Sequence, residues 1–539
     1  TSHSAGGTTA VATGTGGTAS GGGSGGEAPT GWRSELYPDD WSPGFTSPSG
    51  HQIQDYSYAG YKNSEAPIGM PVVSTLINVV TDQGADPSGT TDATAAVNAA
   101  IAAASGAGGI VYFPAGEYRF DGVLLISKSN VVLKGAGSTQ TKLFFTKTST
   151  MSFDSHVTFR GSNTQGPDLL LAADAAPFDT TIKVADASSL TVGDDLIVGF
   201  SITSDFVQSH KMNGTWDTAS HPFFNKWQPF FRRHVVSLDT NQTPHEVVID
   251  VPIRYPVRMS DGASLRRHGT YLSECGVQGM ALGNAATWDE AWSLDQVHIL
   301  ELDRVKDCWI DDVISYDPPT GPTSGNGKDD HLLSGGVLVR RSKRVTVANS
   351  EMHRGQHKGG GGNGYLFEVR QSSEVLFVDL KASKGRHNFI QNWGFGNSGC
   401  VWLRVQSSGA NAWLNKNFPG LPGFSEFHHS LSLGNLVDSS TFDDGWSVVN
   451  RGSYSSGAGH SGTETIMWNT RGNGVLRSRQ FDMGYVVGTK SITVQTSLGG
   501  FLDGSENTEP EDFTEGIGDA DTLYPQSLFE SQLAKRLAP

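Results

Sequence analysis

Along most of the chain, apolar and polar positions alternate in short runs. Val345-Thr346-Val347-Ala348-Asn349, Val375-Leu376-Phe377-Val378-Asp379 and Cys400-Val401-Trp402-Leu403-Arg404 are typical. Alternation sends successive side chains to opposite faces of an extended strand, so each run predicts a short β-strand with one buried face. The runs also align with one another. Residues 343–349 match 373–379 at a shift of 30, 306–312 match 343–349 at 37, and 399–404 follow the 373 run at about 25. Repeating strands with spacings that vary from 25 to 42 predict a solenoid of stacked coils joined by unequal loops.

Three stretches break the pattern. In 91–105, Ala93, Ala96, Val97, Ala100 and Ile101 line one helical face, Thr91 or Asp92 can cap it, and glycines at 106–109 end it before a strand at 110–113. From about 165 to 260 the runs read as paired antiparallel strands, a small inserted β module. Within it, 209–234 is aromatic and basic and is expected to project over a cleft. At the carboxyl end, LYPQSLFESQLAKRL predicts a short terminal helix.

The order strand, GAD-x-x-G-x-T-D-x-T-x-A, GG-x-VYFPAG-x-Y, SNVVLKGAG resembles the N-terminal cap and first coils of the pectate-lyase-like superfamily. Asp86, Gly89, Thr91, Asp92, Thr94, Pro114, Gly116, Tyr118, Gly135 and Gly137 carry the match. The resemblance implies an all-β fold, a right-handed parallel β-helix over 75–500 with an N-terminal cap helix and a C-terminal cap helix. It also implies a scaffold used on polysaccharides by lyases, hydrolases and epimerases, and it carries no defined catalytic set onto these positions.

Composition narrows the picture. Residues 1–30 are Gly/Ser/Thr-rich and nearly uncharged, so they predict a flexible tether, similar to the spacers of exported bacterial lipoproteins. Residues 31–74, rich in aromatics and prolines, read as an extended segment packed on the main domain, and 501–539 as an acidic linker followed by the terminal helix. A net charge of −16 argues against nucleic acid as a partner. No apolar run reaches the ~18 residues of a membrane span. The expectation is a secreted or cell-surface monomer. Three widely spaced cysteines, Cys275, Cys308 and Cys400, show no metal or disulfide pattern; buried thiols are the reading, with a Cys308–Cys400 bridge as the alternative.

The candidate chemistry lies between 351 and 460. Extending the inward register places Phe389 and then Leu431 in one column. His387 and His429 then fall one coil apart, beside Arg386 and His428, with His298 four coils earlier. Elimination on a uronate needs a base for the C5 proton, a cation on the carboxylate and an acid for the leaving oxygen. His387, Arg386, His429, His428 and Lys358 are the candidates for catalysis, with His387 or His429 as base and Arg386 as carboxylate clamp. Arg354, His357, Asn388, Trp393, Trp413, Arg451, His460 and Glu368 are candidates for binding the substrate, a polysaccharide of anionic character.

Two other readings stay open. A glycoside hydrolase would need two carboxyls ~5–9.5 Å apart, from Asp311, Asp312, Glu368, Asp443 and Asp444. Asp312, however, aligns with Asn349 and Asp379, which suggests a polar ladder at a coil corner. A non-catalytic glycan-binding surface protein is the third reading. No cofactor is called for. Calcium is conceivable, but the acidic run 503–513 lacks the spacing of a calcium loop.

Overall fold

The structure is a computed structural model and describes residues 31–69, 75–411, 423–496 and 508–538. The expected tether at 1–30, Trp413 and the first part of the acidic linker lie outside the described residues. Short parallel strands hydrogen-bond coil to coil from Leu76–Asn78 to Phe513–Glu515, as the alternating runs require. One long sheet of ten strands forms the face that matters below. In chain order they are β1 (Leu124–Ile126), β2 (Ser155–Arg160), β3 (His298–Asp303), β4 (Gly335–Arg340), β5 (Tyr365–Arg370), β6 (His387–Gln391), β7 (Ser425–Phe427), β8 (Gly445–Val448), β9 (Val475–Ser478) and β10 (Thr493–Gln495).

The core is a stack of like on like. Leu300, Val337, Phe367 and Phe389 follow one another in register. Phe367 and Phe389 stack at 5.4 Å, and Phe377 and Trp402 on the facing sheet at 5.5 Å. Each such buried side chain contributes roughly 1.5–3 kcal/mol. Beyond Phe389 the expected register fails. Ile390 pairs with Glu426, so the column passes to Ser425 and Trp446. Leu431, expected next in that column, lies at a turn with φ 30° and packs into the inserted module's core. His387 and His429 therefore do not share a column. His387 pairs instead with Tyr365, and His298 stands in the same file three coils earlier, not four. The cause is the loop before β7, which is shorter than the hand alignment supposes.

The coil corners explain the double aspartate. Asp312, Asn349, Asp379 and Arg404 hold φ of 52°, 48°, 55° and 51°, a left-handed bend that Asp and Asn tolerate best. Asp311 accepts from Asn349 Nδ2 at 2.8 Å, and Asp312 accepts from the Ser138 hydroxyl. Both belong to a corner ladder, as the alignment suggested. The three thiols are free and buried, so no Cys308–Cys400 bridge forms.

Helix α1 (Thr94–Ala104) buries Val97, Ala100, Ile101 and Ala104 over the first coil. Asp92 accepts from the Thr94 amide at 2.9 Å, although the capping position itself is Ala93. The inserted module is a six-stranded antiparallel sheet spanning residues 169–267. Its stretch 209–234 is only partly loop, because 227–234 continues as the strand Trp227–Asp239. A buried ion triad pins the module to the solenoid: Glu374 takes Arg233 at 2.8 Å and Arg254 at 3.1 Å. Helix α2 (Leu528–Leu537) packs with Leu36, Tyr37, Trp41 and Tyr56 against Leu403, Leu436 and Trp468 on the outside of the large sheet. Among the described residues no helix is long and apolar enough to cross a membrane.

Candidate active site

The outward face of the ten-stranded sheet carries charge where a solvated strand would carry Ser and Thr. Glu301 of β3, Leu338, Glu368 of β5, Ile390 and Glu426 of β7 are successive neighbours in register. Carboxyls thus recur on every second strand, about 10 Å apart. Two residues further along each strand, Asp303, Arg340 and Arg370 form a second file. All three glutamates are buried and each is matched. Glu301 meets Arg340 at 2.5 Å and the Ser155 hydroxyl at 2.9 Å. Glu368 accepts from His298 at 2.8 Å, Asn392 at 2.9 Å and Arg370. Glu426 accepts from Arg451 at 2.8 Å and His428, with His387 Nε2 at 3.2 Å. Burial alone would raise Glu368 and Glu426. Burial is the largest single influence on each, but Arg370 with His298 at Glu368, and Arg451 with His387 and His428 at Glu426, together outweigh it, and both stay well below the usual carboxylate range.

Above this face lies a cavity of about 610 Å³, lined by Tyr365, Arg386, Trp393, His428, His429 and Ser455 among others. Exposed Trp393 forms one wall, backed by Phe223 of the inserted module at 5.7 Å and by His429 at 4.7 Å. Of the stretch 209–234, expected to project over the cleft, Phe223 reaches the back of this wall, and none of its residues lines the cavity. A smaller recess over Phe153, His298 and Arg340 extends the cleft along the coils.

The hydrogen bonds separate the histidines. In His429, Nε2–H donates to the Ser455 carbonyl at 2.8 Å and Nδ1 accepts from the Ser430 hydroxyl at 3.0 Å. Both nitrogens are used, and burial with the nearby Arg451 charge holds the ring down to about 3. In His387, Nδ1–H donates to the Phe424 carbonyl at 2.6 Å, and burial holds it down to about 4 against the pull of Glu426. His387 stands behind Tyr365 and His428 and does not line the cavity. In His428, Nδ1 meets both the Glu426 carboxylate and the Arg451 guanidinium; in the tautomer with the proton on Nδ1, held by the carboxylate, the bare Nε2 lies 3.3 Å from the Ser455 hydroxyl. Burial and Arg451 keep this imidazole neutral. Nitrogen and oxygen atoms of His387, Glu426 and His428 come within 4.8 Å of one another, as metal ligands would. The Arg451 guanidinium already lies on the same Glu426 oxygen and supplies the positive charge there.

The other residues singled out from the sequence are spread more widely. Arg386 lines the cavity, donates to the Gly359 carbonyl at 2.5 Å, and makes no ion pair among the described residues. Lys358 is buried, which lowers its pKa, and donates to the Lys384 carbonyl. His357 packs on Trp292 and bonds the Leu294 carbonyl at 2.8 Å. Asn388 is fully used inside the coil by Ser407, Ser408 and Asp444. Arg354 occupies a left-handed corner with φ 57°. His460 bonds the His210 carbonyl at 2.9 Å, at the joint with the module. None of these five lines the cavity. Tyr365, Glu426 and Ser455 do the reverse: they stand at the site yet attract no notice in the sequence. Glu426-x-His428 and Glu368-x-Arg370 are pairs at period two, a sequence signal for matched charges on one side of the chain.

Residues 76–193 match a family model described as rhamnogalacturonase A/epimerase, pectate lyase-like. That stretch holds the cap helix and first coils and ends before Tyr365, Arg386, His428 and Ser455. A search of curated proteins finds no match. Among solved structures the chain is similar to ORF18 of Geobacillus virus E2, with 14% identity and a TM-score of 0.39, over 82% of this chain and 61% of that one. It is also similar to the tailspike gp61 of Pseudomonas phage phi297, with 13% identity and a TM-score of 0.37, over 78% and 76% of the two chains. The A-module of the mannuronan C-5 epimerase AlgE4 of Azotobacter vinelandii is a further neighbour, with 14% identity and a TM-score of 0.25, over 82% and 95%. At these identities the likeness is one of fold alone. The solenoid is a parallel β-helix whose residues 76–193 match a pectate-lyase-like family model, and its cavity belongs to the part of the chain beyond that match.

Proposed function

We propose that the protein is a carbohydrate-active enzyme that cleaves a uronate-containing polysaccharide by β-elimination, outside the cell or at its surface. The observation that supports this most directly is the Glu426–His428 dyad. In this proposal the carboxylate, which meets Nδ1 alongside Arg451, keeps the proton there and leaves Nε2 as a base at a cavity that also contains Arg386. In this reading Nε2 of His428 takes the C5 proton of the uronate, while Arg386, the cavity cation without an ion pair, neutralises its carboxylate. The C5–H electrons form the C4=C5 bond, the C4–O bond breaks, and the Tyr365 hydroxyl protonates the leaving oxygen. Burial raises the Tyr365 pKa, so the phenol carries its proton when it is needed. His428 then returns a proton to Tyr365.

A hydrolase would need one of its two carboxyls protonated at working pH. Glu368 and Glu426 are both held ionised by the cations around them. Asp443 and Asp444 bond to Asn473 and Asn388 away from the cavity. His428→Ala is expected to lower kcat on a uronate polymer by roughly 10²–10⁴-fold, and Arg386→Ala to raise KM and lower kcat together. Wild-type turnover in both variants would remove the dyad and the clamp from the account.

A further inference from the structure

One cavity residue has no part in elimination. Ser455 is exposed and lines the cavity beside His428. Its hydroxyl lies 3.3 Å from Nε2 of His428, and Nδ1 of the same ring is held by Glu426. Serine, imidazole and carboxylate in this order activate a hydroxyl for attack on an acyl carbon, and the arrangement is recognised by geometry and roles on whatever fold carries it.

The surroundings of Ser455 fit that role. His429 donates to its carbonyl at 2.8 Å and anchors its backbone. Ser455 and Ser456 hold φ of 52° and 64°, two left-handed residues in a row, in a tight turn over the cavity. Both belong to the short turn Tyr454–Gly457. Nη2 of Arg451 lies 3.3 Å from the Ser455 hydroxyl. A guanidinium beside the nucleophile is a donor that a developing oxyanion can use.

We propose that Ser455, His428 and Glu426 form a nucleophile, base and carboxylate triad that removes small O-acyl esters, of acetyl size, from the polysaccharide held in this cavity. The choice of substrate rests on the glycan reading above; the triad itself does not. The Ser455 oxygen attacks the acyl carbonyl carbon as its proton passes to Nε2 of His428. The tetrahedral adduct collapses, the sugar oxygen leaves with that proton, and an acyl-serine remains. Water, deprotonated by the same Nε2, attacks the acyl-serine and releases the carboxylic acid and the free serine. Atoms and electrons balance without a further co-reactant.

Treating the full chain with a fluorophosphonate and locating the adduct by mass spectrometry tests the triad without any glycan. The expected result is one adduct on Ser455, with a labelling rate at least tenfold lower in Glu426→Gln and lower still in His428→Ala. Absence of an adduct on Ser455 in the unaltered protein, or equal rates in His428→Ala, overturns the triad. Acetate release from an O-acetylated uronate polymer tests the substrate, and a labelled protein that releases none overturns that assignment. Elimination without labelling defeats the triad alone, and labelling without elimination defeats the lyase reading alone.

Discussion

His428 and His429 are neighbours in the chain and both line the cavity, yet their ring nitrogens have different fates. His429 spends both on Ser455 and Ser430, whereas in His428 one nitrogen meets Glu426 and the other lies beside the Ser455 hydroxyl at the cavity. A sequence shows that imidazoles cluster here but not which nitrogen is bound. For that reason the base reads as His387 or His429 from sequence, whereas the proposed mechanism takes His428. Trp393, by contrast, is recognisable in the sequence as a loop tryptophan and is exposed on the cavity wall. Trp393→Ala is expected to raise KM for a glycan several-fold with little change in melting temperature, because the ring packs on Phe223 and His429 from one side only. A large drop in melting temperature with KM unchanged would assign the ring to structure.

At the scale of elements, the strands were legible because period two is a strong signal, and three of the hand-aligned shifts hold as residue pairings. Legibility stops where loop length decides register. The shift from Phe389 to Leu431 takes 42 residues where the strand pairing takes 36, so it misplaces the members of the next coil, although an even miscount leaves their facing unchanged. The joint between module and solenoid was not legible at all, since Glu374 meets Arg233 and Arg254 across 120 residues or more. All three side chains are almost fully buried. Removing the acid would leave two guanidiniums uncompensated, so Glu374→Ala is expected to destabilise by about 3–5 kcal/mol. Denaturant unfolding measures this, and a loss below about 1 kcal/mol would show that water replaces the carboxylate.

For the whole molecule, buried titratable groups set the response to pH. Seven imidazoles, His156, His210, His268, His331, His387, His429 and His460, are held down to about 3 or 4, chiefly by burial. Their folded values lie below the unfolded value of about 6.5, so the stability they confer is present above that pH and is lost as pH falls toward 4. Burial raises Asp438 and Glu464 to about 7 and Asp512 to about 6. Their contribution has the opposite sign: it is present below about pH 4 and is lost as pH rises through 6 to 7. Each group contributes up to about 1.4 kcal/mol per pH unit inside its window, and seven outweigh three. The melting temperature is expected to fall steeply as pH drops from about 6.5 toward 4; a flat or rising profile would contradict the buried, neutral histidines.

The central claim is that one cavity over the ten-stranded face breaks a uronate glycan by elimination. The most direct test is the mass of the products released from alginate, pectate, glucuronan and glycosaminoglycans, read together with ultraviolet absorbance. The account predicts, from at least one polymer, oligosaccharides one water lighter than hydrolytic products, absorbing through a double bond conjugated to the carboxylate, and none of them with His428→Ala. Saturated products of hydrolytic mass, or unchanged polymers with measurable binding, would contradict it.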